Sequence, residues 1–542
     1  MPEQFERMGL RPFGPAPTER HMEWYRRGKT AFIHFTMNTF TDREWGLGTE
    51  HPEQFAPTEL DCRQWARVLK EGGFTAAILT AKHHDGFCLW DTALTNHQVM
   101  RSPLKRDVVR EFVDACREYG IKPGIYLSPW DRNHPSWGSD AYNDYYVGQL
   151  QELMENYGPI WECWWDGAGS TKTRYDWKRW VDTVRKLQPQ CVIWGGLGAA
   201  PYVDARWVGN EEGIAGEDCW ATVGLDTLLR EDQAGLNNGD PNGELFVPAE
   251  TNVSIRPGWF WHGDQNGQVM DEERLLRYWF ESAGRNTAIL LNLPPDTRGL
   301  IHELDAEAVR RWNARLEEIF ARNLAAEGVI TPGWEPLLKD DEDEMAVAES
   351  LNPQIRIDFP EEITFDCFLL REVIELGHRI RGFRVEALTE EGWQLLKEGR
   401  CVGYCRAERF APVRAKAVRL TVTEAAALPV LRSFGLYAGA APGAREACSP
   451  KEPPVAEVKS GDGVLEISLA GIYPYDTVKI SPPPEGIWQV HAFNGTDYVL
   501  TAEASDGEAR FPAVTGSYRL KLTSQRPFHP DTKVEVRFEA GE

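Results

Sequence analysis

The sequence predicts an α/β protein with a (β/α)8-like TIM barrel followed by C-terminal β-sandwich domains. Up to about residue 325 of the 542, short runs of β-branched and aromatic residues alternate with helical stretches. The turn after the first run, "FTMNTFTDREW", lacks the glycine-rich phosphate turn expected of a doubly wound open sheet. Beyond about residue 345 the pattern changes to short alternating strands and turns, which predicts β-sandwich structure.

Eight strands are predicted for the barrel, and amphipathic segments with helical spacing lie between several of them. The predicted strands are 30–38, 74–82, 121–128, 160–167, 191–196, 205–211, 245–251 and 287–295. One helix is predicted in "LDCRQWARVLKEGG", ending at Gly72 and Gly73, and another runs from Asp107 to Gly120. The fifth and sixth helices are weakly patterned, so we expect the barrel to be irregular there.

We expect three domains from the changes in composition. Residues 1–330 form the barrel, residues 331–442 a β-sandwich, and residues 443–542 a second small β-rich domain. Strand alternation in "EEITFDCFLL", "GFRVEAL" and "AKAVRLTV" predicts the sandwich. The stretch "AGAAPGAREACSPKEPP" separates it from the last domain.

Charge and composition narrow the classes of partner. The net charge of -24 argues against nucleic acid and anionic membranes, because their phosphates would repel the chain. The start, "MPEQFERMGLRPFGP", shows no apolar segment of a secretory signal, and the ten cysteines are scattered without CxxC pairs. We therefore expect a cytoplasmic protein with reduced thiols, a secreted protein whose leader was removed being the alternative. The sequence does not predict an oligomeric state.

Polar and aromatic side chains follow the predicted strands at their carboxyl ends, where barrel active sites lie. Histidines, carboxylates and aromatic rings meeting there favour a carbohydrate site. Sugar hydroxyls need hydrogen-bond partners, and the apolar face of a sugar stacks on Trp or Tyr. The candidates include His34, Glu44, Trp45, His83, His84, Tyr126, Trp164, Asp166, Glu211, Glu250, Arg256 and Trp259.

Hydrolysis of a glycoside needs two carboxylates. Asp166 in "WWDGAG" is the best candidate nucleophile, because it closes a predicted strand and Gly167 and Gly169 leave space for a ligand. An isolated Asp-Gly pair is more often a turn. The barrel context and the preceding aromatic pair favour the catalytic interpretation here.

Two features raise the question of a metal. His83 and His84 are adjacent, and neighbouring residues of a strand point to opposite faces, so one shared ion is disfavoured. No HExxH or similar spacing supports zinc. We favour recognition of sugar hydroxyls, with a structural histidine pair as the alternative. The acidic run 340–344, "DDEDE", is a candidate calcium site in the β-domain, but a solvated linker is preferred. No cofactor is therefore expected to be required.

Several stretches of residues 30–305 resemble the α-L-fucosidases of glycoside hydrolase family 29. They are "FIHFTMNTFTDREWG", "FTAAILTAKHHDGFCLWDT", "VREFVDACREYGIKPGIYLSPW", "ECWWDGAG" and "AILLNLPPDTRGLI". The resemblance implies an irregular barrel with a β-sandwich and a retaining exo-glycosidase that needs no metal. It implies Asp166 as nucleophile. The implied sugar contacts are His34, His83 and His84 to fucose hydroxyls, and Trp45, Tyr126 and Trp164 around the ring.

The resemblance also implies an acid/base residue. The branch of the family selective for α-1,3/1,4-linked fucose carries it in a segment similar to "RWVGNEEG", which indicates Glu211. Glu250 in "PAETNVSIRPGWFWH" is the competing candidate, and Glu212 and Glu217 remain open. The expected substrates are branched, Lewis-type fucosylated oligosaccharides or glycoconjugates. The alternatives are a broad-specificity fucosidase and a non-catalytic fucose-binding protein.

The surroundings of the site suggest how a branched substrate would be recognised. Four tryptophans are candidates for contact with a neighbouring galactose or N-acetylglucosamine, although packing of each within the barrel is the commoner case: Trp207, Trp220, Trp259 and Trp261. The predicted sandwich resembles discoidin-type carbohydrate-binding domains. Between sugar binding and bracing of the barrel, we favour bracing, since no binding cluster is evident in its sequence.

Overall fold

Eight parallel strands form the central sheet of the computed structural model. The model describes residues 3–169, 175–196, 198–230, 233–339, 341–441, 455–469, 475–493, 498–514 and 519–537. The strands are β1 (Lys29–Ile33), β2 (Phe74–Lys82), β3 (Lys122–Leu127), β4 (Glu162–Trp165), β5 (Val192–Gly195), β6 (Arg206–Trp207), β7 (Ala249–Ser254) and β8 (Ala288–Asn292). They pair in the order β5-β4-β3-β2-β1-β8-β7-β6. A parallel bridge between Trp194 and Ala205 joins the two outer strands, so the expected barrel is confirmed.

Helices cover the barrel and precede or follow its strands. Within the described residues they are α1 (Glu3–Arg7), α2 (Glu19–Arg26), α3 (Met37–Thr41), α4 (Cys62–Glu71), α5 (Val108–Glu118), α6 (Asp140–Asn156), α7 (Trp177–Leu187), α8 (Leu225–Leu228), α9 (Glu272–Glu281) and α10 (Glu303–Phe320). Both helices singled out in the sequence are confirmed as α4 and α5. Asp61 and Asp107 accept a backbone N–H at their respective N-termini, and Gly72 follows the last residue of α4. None of the described helices has the length and apolar composition needed to span a bilayer.

The barrel is irregular on the side of β6, as expected. Between β6 and β7 the described residues form only the four-residue α8 and a two-stranded antiparallel ribbon, Thr222–Val223 with Leu245–Phe246. The predicted strand 245–251 is therefore wrong in its bounds. Pro248, which has no N–H to give to a sheet, separates the ribbon from β7, and β7 runs on to Ser254. Glu250 consequently lies near the start of its strand, whereas the sequence placed it at the end.

Two β-structures follow the barrel. The first, called the sheet domain below, is one antiparallel sheet with its own buried core, made of Val329–Ile330, Ala346–Val347, Gln354–Glu372, Ile380–Thr389, Gly392–Gly399, Arg406–Ala425 and Val430–Tyr437. The second contains a five-stranded and a three-stranded sheet, formed from Val455–Gly461, Val464–Leu469, Tyr475–Ser481, Trp488–Phe493, Tyr498–Ala504, Glu508–Val514, Arg519–Ser524 and Lys533–Arg537. Trp488 is fully buried in the core that these two sheets share.

Candidate active site

Two adjoining cavities lie at the carboxyl ends of the barrel strands. The inner chamber has a volume of about 90 Å³ and the outer cleft about 310 Å³. Both are lined by Trp45, Trp164, Asp166, Ala168, Glu211 and Asn252. The inner chamber is completed by Phe32, His34, Glu44, His83, His84, Tyr126 and Trp259. The outer cleft is completed by Gly167, Trp194, Gly195, Gly196, Arg206, Trp207, Leu228, Gln233 and Leu236.

Asp166 is the first residue after β4, so it lies at the boundary of the two cavities. Its Oδ2 atom accepts a hydrogen bond from the Tyr126 hydroxyl at 3.1 Å, and its Oδ1 atom accepts the Ala168 N–H at 2.7 Å. The Nε2 atom of His84 is 3.9 Å from Oδ2, and 28% of the aspartate side chain is exposed. Gly169 has a φ of 76°, a conformation that favours glycine. The sequence-predicted nucleophile is therefore oriented and accessible.

Three neutral histidines line the inner chamber. Burial lowers the pKa of His34 to about 3 and that of His84 to about 4, and it lowers the pKa of His83 well below its usual value. Their Nδ1 atoms contact Asn292 Oδ1 at 2.8 Å, Ser128 Oγ at 2.7 Å and Asn38 Nδ2 at 3.2 Å, respectively. The Nε2 atoms are then left for a ligand. Neutral imidazoles suit hydroxyl groups, which both donate and accept hydrogen bonds.

Glu211 lies in the loop after β6 and faces the same boundary as Asp166. The indole Nε1 of Trp259 donates a hydrogen bond to its Oε2 at 3.2 Å. Burial raises the pKa of Glu211 to about 7; the Trp259 hydrogen bond opposes this, while the charges of Asp166 and Glu44 add to it. The carboxyl is thus kept protonated to higher pH than an ordinary glutamate. In the described chain, neither cavity is lined by Glu212 or by Glu217, which is exposed and pairs with Lys397.

Glu44 fixes the backbone of the loop that carries Trp259. Its carboxylate accepts the backbone N–H of Trp259 at 2.8 Å and of Phe260 at 3.4 Å, and contacts His262 Nε2 at 2.7 Å. Although burial lowers the pKa of His262, hydrogen bonds to Asp42 and Glu44 raise it to about 9. A charged imidazolium therefore neutralises Glu44 at neutral pH. Trp45, next in sequence, packs edge-on against the His84 ring at 5.5 Å.

Glu250 is not placed as an acid/base residue. It is buried inside the barrel, where its Oε2 pairs with Arg27 and its Oε1 accepts the Trp164 indole N–H at 3.0 Å. Arg27 also pairs with Glu162, whose pKa burial raises to about 8. Because Glu250 is the second residue of β7, it lies one inward-facing position below Asn252, about 6.6 Å deeper along the strand. Its contacts are those of a buried support for Trp164.

Arg256 is likewise not brought to the site. Only 2% of the residue is exposed, and its guanidinium binds Asp305 at 2.8 Å and Asn266 at 3.0 Å. It ties the loop after β7 to the first turns of α10. The predicted Trp207 does line the outer cleft, and it donates its indole N–H to Asn252 Oδ1 at 2.8 Å. Trp259 lines the inner chamber. The remaining two candidate tryptophans line neither cavity of the described chain: Trp220 is buried, and Trp261 stacks on His302.

Sequence reasoning missed several lining residues, among them Phe32, Trp194 and Asn252. Phe32 and Trp194 read as ordinary core residues of their strands, and only closure of the barrel turns them towards the cavities. Asn252 was hidden by the misplaced strand 245–251. With β7 at Ala249–Ser254, the alternation of a strand puts Asn252 on the inward face and nearer the open end than Glu250.

No metal site emerges from the candidate residues. The described residues contain no group of three or more His, Cys, Asp or Glu side chains arranged to hold an ion. In the acidic run 340–344, position 340 lies outside the described residues. Glu342 binds Arg26 at 2.9 Å, and Glu344 binds Lys339 at 2.6 Å.

Two carboxyl groups and neutral histidines around a small chamber at the carboxyl ends of the barrel strands fit a site for cleaving sugars, which indicates the class of the glycoside hydrolases. Residues 13–317 match the family model for α-L-fucosidase. The chain therefore belongs to the α-L-fucosidases of glycoside hydrolase family 29 and is an enzyme of that class, in agreement with the resemblance of its motifs.

Individual relatives support this membership. Alpha-L-fucosidase 1 of Arabidopsis thaliana is 36% identical over 451 residues, covering 79% of this chain and 88% of that protein. The structure of a glycoside hydrolase 29 family member from a rumen bacterium is 33% identical, with a TM-score of 0.74, covering 97% and 100% of the two chains. A Ruminococcus gnavus family 29 fucosidase in complex with fucose is 29% identical, with a TM-score of 0.74, covering 79% and 96%.

The contacts of Arg27 generate a stability prediction. Arg27→Met leaves Glu162 and Glu250 buried without their cation, and we expect the free energy of unfolding to fall by about 3–5 kcal/mol. The matched control is Arg26→Met, whose half-exposed guanidinium binds Glu342 and whose loss should cost under about 1 kcal/mol. Urea unfolding followed by circular dichroism measures both. Equal effects of the two substitutions would contradict the role assigned to Arg27.

Proposed function

We propose that the enzyme is a retaining exo-α-L-fucosidase that removes terminal α-1,3/1,4-linked fucose from branched, Lewis-type oligosaccharides. The observation that carries the proposal is the position of Asp166 and Glu211. Both line the boundary between the small inner chamber and the wider outer cleft. A single terminal sugar in the chamber would place its glycosidic bond at that boundary, with the rest of the glycan in the cleft.

In the first step, Asp166 attacks the anomeric carbon of fucose. Glu211 gives its proton to the departing glycosidic oxygen, and a covalent fucosyl-enzyme forms. Hydrogen bonds from Tyr126 and the Ala168 N–H orient the attacking carboxylate. The raised pKa of Glu211, caused first by burial, favours the protonated form that a general acid needs.

In the second step, Glu211 takes a proton from water, and the water oxygen replaces Asp166 at the anomeric carbon. Two inversions give fucose with retained configuration. The reaction as proposed uses only side chains of this chain and needs no cofactor. His34, His83 and His84 would hold the fucose hydroxyls, while Trp45 and Trp259 would shape the chamber around the ring.

The preference for branched substrates rests on the outer cleft. Trp194 and Trp207 offer aromatic surface to a second sugar, and Gln233 and Asn252 offer hydrogen bonds. A fucosidase of broad specificity is the alternative, followed by a fucose-binding protein without turnover.

We also propose that the protein has three domains, formed by residues 1–330, 331–442 and 443–542. A reducing, cytoplasmic location is supported by the ten cysteines, which are scattered along the sequence without CxxC pairs.

The roles of the carboxylates are tested by substitution. We expect Asp166→Ala to abolish turnover, and Glu211→Ala to lower the rate by about 10²–10⁴-fold on substrates with a poor leaving group. Added azide should partly restore Glu211→Ala, because this small anion attacks the fucosyl-enzyme without a general base. Glu212→Ala, the neighbouring residue outside both cavities, is the control. Near-normal activity of Glu211→Ala would remove this residue from the mechanism.

The hydrogen bond from Trp259 makes a pH prediction. It favours the charged form of Glu211, so Trp259→Phe should raise the pKa of Glu211 further. The decline of kcat/KM above about pH 7 should then move to higher pH by up to about one unit. Trp261→Phe serves as the control. A shift to lower pH would show that Glu211 is not the group whose protonation limits the reaction.

The linkage preference is tested with two substrates. We expect kcat/KM for a Lewis-type trisaccharide to exceed that for a simple aryl fucoside by at least about tenfold, one well-made sugar subsite contributing about 1.4 kcal/mol. Initial rates of fucose release measure both. Rapid aryl hydrolysis without preference would indicate the broad-specificity enzyme, and binding of the trisaccharide without release of fucose would indicate a non-catalytic protein.

A further inference from the structure

The sheet domain binds a short segment of the barrel, residues 217–221, through several hydrogen bonds. Asp218 Oδ1 accepts the backbone N–H groups of Arg400 at 2.8 Å and Cys401 at 3.0 Å. The guanidinium of Arg406, which is 1% exposed, donates to the carbonyl of Glu217 and lies 3.6 Å from Asp218. These contacts fix both the backbone and the side chains at the start of the segment.

The end of the same segment rests on His378 of the sheet domain. Its Nε2 atom accepts the backbone N–H of Ala221 at 3.0 Å, and its ring packs edge-on against Trp220 at 5.0 Å. The guanidinium of Arg381 lies 4.9 Å from the centre of the Trp220 ring. Burial lowers the pKa of His378 to about 3, so the imidazole is neutral and free to accept this hydrogen bond.

On its other side the segment supports the outer cleft. Arg206, which lines the cleft, donates to the carbonyl of Trp220 at 2.8 Å and of Leu236 at 3.0 Å. The Trp220 N–H donates to the carbonyl of Asn238 at 2.8 Å. The ribbon strand Thr222–Val223 follows the segment directly in sequence. Leu228, Gln233 and Leu236, which line the outer cleft, belong to the stretch of chain that connects the two ribbon strands.

We propose that the sheet domain is a specificity element for the leaving group. By clamping residues 217–221, it fixes the wall of the outer cleft that Leu228, Gln233 and Leu236 form, and the leaving part of the glycan binds against that wall. The inference rests on the proposed function, because it assumes that the outer cleft holds the sugars beyond the scissile bond.

Loss of the contacts between the sheet domain and residues 217–221, called the clamp below, should affect the outer cleft and leave the inner chamber intact. The inner chamber is lined by residues on or following β1, β2, β3 and β4, by Glu211 after β6, by Asn252 of β7 and by Trp259. Its lining in the described chain includes none of 217–221 or the sheet domain. Asp166 is oriented by Tyr126, and Glu211 by Trp259. Release of the clamp should therefore weaken binding of the leaving group while fucose binding and the carboxylates stay in place.

The test compares α-L-fucosyl fluoride, which has no leaving sugar, with a Lewis-type trisaccharide. His378→Ala leaves the Ala221 N–H buried without its acceptor, and we expect kcat/KM for the trisaccharide to fall by about tenfold or more, mainly through KM. Activity on the fluoride should stay within about threefold. Asp218→Ala, which removes the acceptor for two N–H groups at a partly exposed position, should act in the same direction and carries the test if His378→Ala does not fold.

Two controls separate the clamp from general damage. Asp218→Asn keeps an acceptor oxygen and should restore most of the trisaccharide activity lost in Asp218→Ala. Arg409→Ala breaks another contact between the sheet domain and the barrel, the ion pair with Glu273 of α9 at 2.5 Å, and should leave the ratio of the two substrates unchanged. An equal loss on both substrates, or no loss on either, would overturn the proposal. If the unaltered enzyme hydrolyses neither substrate, the proposed function itself fails.

Discussion

The rest of the structure depends on Arg27, whose guanidinium lies inside the barrel between Glu162 and Glu250. One cation cannot neutralise two buried carboxylates, and the pKa of Glu162, raised by burial to about 8, indicates that one of them keeps its proton. The charges are then balanced. Glu250 has an oxygen left over, and this oxygen accepts the Trp164 indole N–H at 3.0 Å. A polar group deep in the barrel thereby holds an aromatic ring of the site above it.

The ring of Trp164, fixed by Glu250, in turn positions the aromatic side chains next to Asp166. It stacks on Trp194 with ring centres 3.7 Å apart and an interplanar angle of 5°, and on Tyr126 at 5.3 Å. The hydroxyl of Tyr126 donates to Asp166, which follows Trp164 by two residues. The aspartate is therefore positioned both by its strand and by the stack beneath it. Such support from packed rings is what preorganises a nucleophile before substrate binds.

The barrel, α4, α5 and the place of Asp166 could be predicted from the sequence because each is set by local pattern. Apolar runs define the strands, capping residues and glycines define the helix ends, and a residue closing a strand must lie at the rim. Glu250 could not be placed in this way. Leu245–Phe246 and the first residues of Ala249–Ser254 read as one strand, 245–251, and only their pairing with different partners separates them.

Other parts of the site depend on contacts far apart in sequence. The guanidinium of Arg256 turns to Asp305, 49 residues later, and no local pattern announces that partner. Glu211 stands in a loop after the two-residue strand β6, where periodicity gives no orientation. Its candidacy came from the resemblance of "RWVGNEEG", and its place beside Trp259 follows from the fold of the 258–262 loop onto Glu44.

The sheet domain contacts the barrel on its irregular side. In a regular barrel, a full helix after each strand packs on the sheet and supports the loops at the rim. Between β6 and β7 the described residues form only the four-residue α8 and a short ribbon. His378 and Arg381 of the sheet domain pack against Trp220 at this position. Asp166 and the histidines of the inner chamber follow the regular strands β1, β2 and β4, and Glu211, which follows β6, is held by Trp259. The wall of the outer cleft depends on a neighbouring domain and can change while these contacts stay in place.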